Sequence, residues 1–160
     1  MDMTLYELRA HPAAAALATT PTPAGTAPGA PAGTVLLVDD DPDFRGMTRI
    51  AFTRAGYAVH EAENGNAAMA ILAGRTIDLI VTDIIMPEAD GYEVILRLKE
   101  QSSRPPLIAV TGGSLRLRME LPGMARLLGA DAAFEKPVDL PALLGEAGRL
   151  IAARNGDAAG

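Results

Sequence analysis

The chain has 160 residues, a net charge of −6 and a pI near 4.8, enough length for one ordinary domain with a real core. Its negative charge argues against binding to nucleic acids or anionic membranes. The absence of cysteine excludes disulfides and thiolate chemistry, and two scattered histidines do not make a histidine metal site, so we expect any metal to have oxygen ligands. No run approaches the roughly 18 apolar residues of a membrane span, and no leader pattern is recognisable, so we expect a cytoplasmic protein.

Residues 1–33 are predicted to form a disordered tail. From His11 to Gly33 the sequence is almost wholly alanine, threonine, proline and glycine, with almost nothing large enough to bury. The folded domain is placed between residues 34 and 154. Residues 155–160 are assigned to a short C-terminal tail.

After Gly33, short aliphatic runs alternate with segments of helical periodicity, which favours a parallel sheet covered by helices on both faces. The predicted strands are Val35–Val38, Ala58–Ala62, Leu79–Thr82, Leu107–Val110 and Ala132–Glu135. The first, third and fourth are continuous apolar runs, as strands buried on both faces require. The second is more polar and suits an edge position.

Helical segments follow the strands, so we expect an α/β fold with five strands and five helices. Pro42 behind Asp41 marks the start of the first helix, because proline has no amide hydrogen to lose and aspartate can cap. We expect Phe44, Met47 and Ala51 of this helix to face the core. The last helix has a clear apolar stripe, made of Leu140, Leu143, Leu144, Ala147, Leu150 and Ile151.

Polar residues directly follow four of the predicted strands. They are Asp39, Asp40 and Asp41 after the first strand, Asp83 after the third, Thr111 after the fourth and Lys136 after the fifth. In an open parallel sheet, functional groups gather beyond these carboxyl ends. Singly, each could be a loop acid, a helix cap or a surface charge, and a cap is the expected role of Asp41. Together they predict one site, where a divalent cation would relieve the repulsion between adjacent carboxylates.

Four segments resemble the signatures of CheY-like response-regulator receiver domains. They are VDDDPDFR at 38–45, DIIMPEADG at 83–91, VTGG at 110–113 and FEKP at 134–137. A D-x-x-M-P-x-x-D-G run between an acidic pair and a lysine–proline pair is a highly specific match. The resemblance covers about Thr34 to Arg154 and implies a doubly wound, flavodoxin-like fold with strand order 2-1-3-4-5.

The resemblance also implies a role for each site residue. Asp83 would be the phosphoacceptor, Thr111 the switch hydroxyl and Lys136 a contact of the phosphoryl group. A magnesium ion would be held by Asp39, Asp40, Asp83 and the main-chain carbonyl of Ile85. The bond between Lys136 and Pro137 would be cis. The residue types suit this chemistry, because a hard cation and an ammonium group neutralise the charge on phosphoryl oxygens.

By this resemblance the chain is a stand-alone response regulator of a two-component or phosphorelay system and not an enzyme. The expected phosphoryl donor is a histidine kinase or a histidine phosphotransfer protein. Because residues after Arg154 are too few for an output domain, the output would be a downstream target protein. We expect a monomer or a weak homodimer.

Ala133 departs from the receiver pattern, because most receivers have an aromatic residue there that moves with the threonine. Phe134 should point to the opposite face and pack in the core. The alternative function is a receiver-like binding module that works without phosphorylation. A haloacid-dehalogenase-type phosphatase would need an acid where Ile85 stands, and a nucleotide-binding domain would need a glycine-rich phosphate loop after the first strand.

Overall fold

The computed structural model describes residues 30–84, 91–112 and 129–160, which contain a five-stranded parallel sheet of order β2-β1-β3-β4-β5. The strands are β1 (Thr34–Val38), β2 (Ala58–Ala62), β3 (Leu79–Asp83), β4 (Leu107–Thr111) and β5 (Ala132–Glu135). The predicted strands and their order are confirmed. Strands β3 and β4 each extend one residue further than predicted, so Asp83 and Thr111 are the last residues of their strands.

The described residues form four helices, where the sequence predicted five for the whole chain. They are α1 (Pro42–Arg54), α2 (Gly65–Gly74), α3 (Gly91–Lys99) and α4 (Leu140–Ala158). The segment 113–128, between β4 and β5, lies outside the described residues, as do residues 1–29 of the predicted tail. Helix α4 continues through residues 155–158, which the sequence analysis assigned to a C-terminal tail. A helix already formed extends at little cost, even where its residues are exposed.

The sheet separates two apolar cores, because successive side chains of each strand point to opposite faces. Helices α1 and α4 cover one face, where Phe52 and Leu143 are fully buried. Helices α2 and α3 cover the other, where Ala68 and Ile95 are buried. All five residues of β3 and of β4 are buried, as predicted for central strands. This packing leaves the carboxyl ends of the strands as a common edge.

Helix α1 is rotated relative to the sequence prediction. Thr48 and Phe52 are its buried residues, while Met47 is 49% exposed, so the prediction that Met47 faces the core is wrong. The buried face repeats at four-residue steps from Phe44 through Thr48 to Phe52. Threonine can occupy this face because its hydroxyl donates a hydrogen bond to the Phe44 carbonyl at 2.8 Å, which satisfies the polar group.

Candidate functional site

Three carboxylates meet at the carboxyl edge of the sheet. Asp39 directly follows β1, Asp83 ends the neighbouring β3, and one oxygen atom from each of Asp39, Asp40 and Asp83 lies within 4.8 Å of the others. Asp39 and Asp83 are 2% and 6% exposed, whereas Asp40 is exposed. Such a group of hard oxygen donors fits Mg²⁺, which favours carboxylate ligands.

Lys136 brings a positive charge into this cluster from the far end of the chain. Its Nζ donates hydrogen bonds to Oδ2 of Asp39 at 2.7 Å and to Oδ2 of Asp83 at 3.1 Å. Its main-chain N–H donates to the carbonyl of Thr111 at 2.7 Å, which ties the end of β5 to the end of β4. The Lys136–Pro137 peptide bond is cis, as predicted. One ammonium group therefore bridges the two buried carboxylates.

Burial acts against the charge on both partners of this ion pair. It raises the pKa of Asp39, and the opposing effects of Lys136 and of the Asp41 amide do not offset it. Burial alone would lower the pKa of Lys136, but the hydrogen bonds and charges of Asp39 and Asp83 together raise it. At Lys136 the effect of the carboxylates on the pKa is therefore larger than that of burial. At Asp39 the effect of burial on the pKa is larger than that of the lysine. A further cation at this site would favour the ionised form of Asp39.

The loop between β1 and α1 is held by local hydrogen bonds. Oδ1 of Asp39 accepts from the Asp41 amide at 2.8 Å, and the carbonyl of Asp39 accepts from Nη1 of Arg45 at 2.7 Å. The Arg45 guanidinium also pairs with Glu61 on β2 at 3.1 Å. Asp41 caps α1 by accepting from the amides of Asp43 and Phe44, which confirms its predicted role.

Two further residues surround the side chain of Lys136. Its Nζ lies 4.3 Å from the centroid of the Phe44 ring, within cation–π distance. Its aliphatic stem passes over Gly112, where an added Cβ would lie 3.1 Å from Cδ of the lysine. Sequence reasoning expected Phe44 only to face the core, because no motif marks a contact between residues that lie so far apart in the chain.

Thr111 is fully buried at the end of β4, next to β5. Its hydroxyl lies 3.5 Å from the carbonyl of Phe134, at the outer limit of a hydrogen bond. Ala133 packs against the core under α2 and α3, and Phe134 against the opposite core, so the predicted packing of Phe134 is confirmed. The structure thus places the predicted side chains of Asp39, Asp40, Asp83, Thr111 and Lys136 at this edge. Ile85, whose main-chain carbonyl was predicted to be a metal ligand, lies outside the described residues.

A doubly wound sheet of order 2-1-3-4-5, with carboxylates, a threonine and a lysine at its carboxyl edge, has the architecture of signal-receiver domains. The family comparison agrees, because residues 35–147 match the family model of the response regulator receiver domain. The chain belongs to this family, as the sequence resemblance predicted.

Similar proteins include two curated relatives and a solved structure. The chain is 40% identical over 116 residues to a probable cyclic di-GMP phosphodiesterase of Vibrio cholerae, covering 69% of this chain and 24% of that protein. It is 36% identical over 107 residues to an uncharacterized 14.6 kDa protein of Leptolyngbya boryana, covering 66% of this chain and 79% of that protein. The receiver domain of a signal transduction histidine kinase from Syntrophus aciditrophicus superposes with a TM-score of 0.67 at 30% identity. The match covers 76% of this chain and 92% of that structure.

The chain spans only 24% to 36% of the length of several curated relatives, which include transcriptional regulators. Their full activities therefore belong to those proteins. Among the residues that the structure describes, no helix is long and apolar enough to cross a membrane.

Proposed function

We propose that this receiver domain is a phosphorylation switch in which Asp83 accepts a phosphoryl group. The observation that carries the proposal is the bridge from Lys136 to Asp83 and Asp39 beside a third carboxylate. The Mg²⁺ ligands would be Asp39, Asp40, Asp83 and the main-chain carbonyl of Ile85. When bound, Mg²⁺ supplies positive charge that neutralises the phosphoryl oxygens.

The transfer is a displacement at phosphorus. A carboxylate oxygen of Asp83 forms the new P–O bond, while the bond from phosphorus to the donor breaks and its electron pair leaves with the donor group. The Asp83 carboxylate thereby becomes a mixed anhydride and loses its charge, and the phosphoryl oxygens bring new negative charge. The ammonium group of Lys136, already beside Asp83, pairs with a phosphoryl oxygen.

Thr111 would convert the chemical step into a movement. Its 3.5 Å contact with the Phe134 carbonyl is weak and can be exchanged at little cost for a hydrogen bond to a phosphoryl oxygen. Gly112 follows Thr111 directly, so a shift of the threonine moves the start of the next loop. That shift biases a two-state equilibrium that a partner protein can read. Because Ala133 stands where an aromatic partner is usual, the readout would run through the loop.

The proposed donor is a histidine kinase or a histidine phosphotransfer protein, and the proposed output is a downstream target protein that binds the switched state. A cytoplasmic protein that is a monomer or a weak homodimer fits this role. A module that works without phosphorylation would not need Asp39, Asp40, Asp83 and Lys136 together, so the intact set favours the switch.

The test is the intact mass of the protein after incubation with acetyl phosphate and Mg²⁺. We expect the mass of one phosphoryl group to be gained by the native chain and lost with Asp83→Asn or after chelation of Mg²⁺. Asp78→Asn is the matched control, because Asp78 precedes the same strand and accepts a hydrogen bond from the Thr34 amide at 2.7 Å. A native chain that gains no mass, or a gain that survives Asp83→Asn, would contradict the proposal.

A further inference from the structure

The ammonium group of Lys136 is in contact with three groups that come from different parts of the fold. Two are the carboxylates of Asp39 and Asp83, and the third is the face of the Phe44 ring, 4.3 Å from Nζ to the ring centroid. Lysine has a flexible four-carbon stem, so one contact alone would leave the charged group free to swing into solvent. The stem of Lys136 is also confined by Gly112, where there is little room for a side chain.

We propose that Phe44 is a positioning residue for phosphoryl transfer, whose ring face holds the ammonium group of Lys136 beside Asp83. The inference rests on the proposed role of Lys136 as a contact of the phosphoryl group. It gives Phe44 a function beyond packing, because the negative face of the ring attracts the cation and keeps water from one side of it.

The reaction itself explains why a third contact matters. A bound metal ion would engage the carboxylate of Asp39, and phosphorylation would remove the charge of the Asp83 carboxylate. Both ion pairs of Lys136 would therefore be weakened during the reaction, at the moment when the ammonium group must meet a phosphoryl oxygen. Of the three contacts, the Phe44 ring is the one that the chemistry leaves unchanged.

The local structure makes Phe44 suitable for this task. It lies in the first turn of α1, where its amide is part of the cap formed by Asp41, and its carbonyl accepts the hydroxyl of Thr48. The ring packs against the core beneath α1 and α4. Because helix and core hold the ring, it can fix the position of a flexible cation without itself gaining or losing charge.

The contact can be observed directly by NMR. Lys136 and Lys99 are the only lysines of the chain, so labelled lysine gives two sets of side-chain signals, which Lys99→Arg assigns. A methylene group beside a ring face has its proton signals displaced upfield, and we expect this for the ε-methylene of Lys136 but not for that of the exposed Lys99. Phe44→Leu should abolish the displacement and Phe44→Tyr should keep it. An unchanged displacement in Phe44→Leu would overturn the proposal.

The functional consequence is tested by the rate of phosphorylation at saturating acetyl phosphate and Mg²⁺. We expect Phe44→Leu to lower this rate about fivefold, which corresponds to about 1 kcal/mol for a partly exposed cation–π contact. Phe44→Tyr should be phosphorylated within about twofold of the native rate, because its ring keeps a negative face. Half-saturation by Mg²⁺ should be unchanged, since Phe44 offers no ligand to the metal.

A matched control separates positioning from packing. Phe52→Leu removes a fully buried ring from the same helix and core without touching Lys136, so it should lower stability but leave the saturated rate unchanged. If Phe44→Leu does not fold, a trifluorinated phenylalanine at position 44 keeps the shape of the ring while weakening the charge of its face. It should lower the rate as Phe44→Leu does.

The outcomes distinguish this inference from the proposed function. A native protein that takes up no phosphoryl group on Asp83 overturns both. A native protein that is phosphorylated on Asp83, with an equal rate in Phe44→Leu or in the fluorinated protein, overturns the positioning role alone. If Phe44→Tyr is as slow as Phe44→Leu, the positioning role is also overturned, because the ring face would then not be the cause of the lost rate.

Discussion

Replacing Lys136 with methionine would remove the ammonium group at the centre of the site and keep a stem of similar length. In the native protein Nζ lies 2.7 Å from Asp39 and 3.1 Å from Asp83, with 21% of the lysine side chain exposed. Opposite charges about 3 Å apart attract by about 5.5 kcal/mol at an effective dielectric constant of 20, and the desolvation of the lysine cancels a large part of this. We expect Lys136→Met to lower the free energy of unfolding by about 2 kcal/mol without divalent cations.

Magnesium should then recover much of this loss. In the native protein both oxygens of Asp39 already have partners, Oδ2 the ammonium of Lys136 and Oδ1 the Asp41 amide, so a bound cation must share or displace the lysine. Without the ammonium, Mg²⁺ should bind about tenfold more tightly, which adds about 1.4 kcal/mol to its stabilising effect at saturation.

The assay is urea denaturation at increasing Mg²⁺ concentration, with Lys99→Met as the control that removes an exposed lysine. The variant should gain more unfolding free energy from Mg²⁺ than the native protein and the control do. A gain no larger than that of the native protein would show that Lys136 and the metal do not compete for Asp39.

Three other substitutions test separate parts of the account. Asp40→Asn should lower Mg²⁺ affinity about tenfold in calorimetric titrations. Because Asp40 is exposed, the free energy of unfolding should change by less than about 0.5 kcal/mol. An unchanged Mg²⁺ affinity would show that Asp40 is not a ligand of the metal. Thr111→Val should change stability by less than about 1 kcal/mol, since its hydroxyl contact is long, yet reduce the phosphorylation-dependent change in the Gly112 amide NMR signal. A native-like response would contradict the switch role. Leu143→Ala should cost about 2–5 kcal/mol in urea denaturation, against under about 1 kcal/mol for the partly exposed Leu96→Ala; equal losses would contradict the described core.

The sheet could be predicted from the sequence because each strand carries its own signal. The runs at 35–38, 79–82 and 107–110 are apolar throughout, and such runs are typical of strands covered on both faces. The orientation of α1 could not be predicted as well, because Met47 is more hydrophobic than Thr48 and the choice between them depends on packing. Thr48 is buried since its hydroxyl finds a partner within the helix.

In the site, too, the residues at the strand ends could be predicted from the sequence, whereas a contact that depends on tertiary packing could not. The convergence of Asp39, Asp83 and Lys136 could be predicted, because parallel strands bring their carboxyl ends to one edge whatever the details of packing. The place of Phe44 over Lys136 depends on the rotation of α1 and on the path of the chain after β5. Those are tertiary features that no spacing along the sequence encodes.

The central claim, that Asp83 carries the phosphoryl group, is tested most directly by locating the modified residue. Borohydride reduces an aspartyl phosphate to homoserine and releases phosphate, and peptide mass mapping then identifies the position. After incubation with acetyl phosphate and Mg²⁺, we expect homoserine at position 83. Homoserine at position 39 or 40 instead, or no homoserine in a protein that has gained the mass of a phosphoryl group, would contradict it.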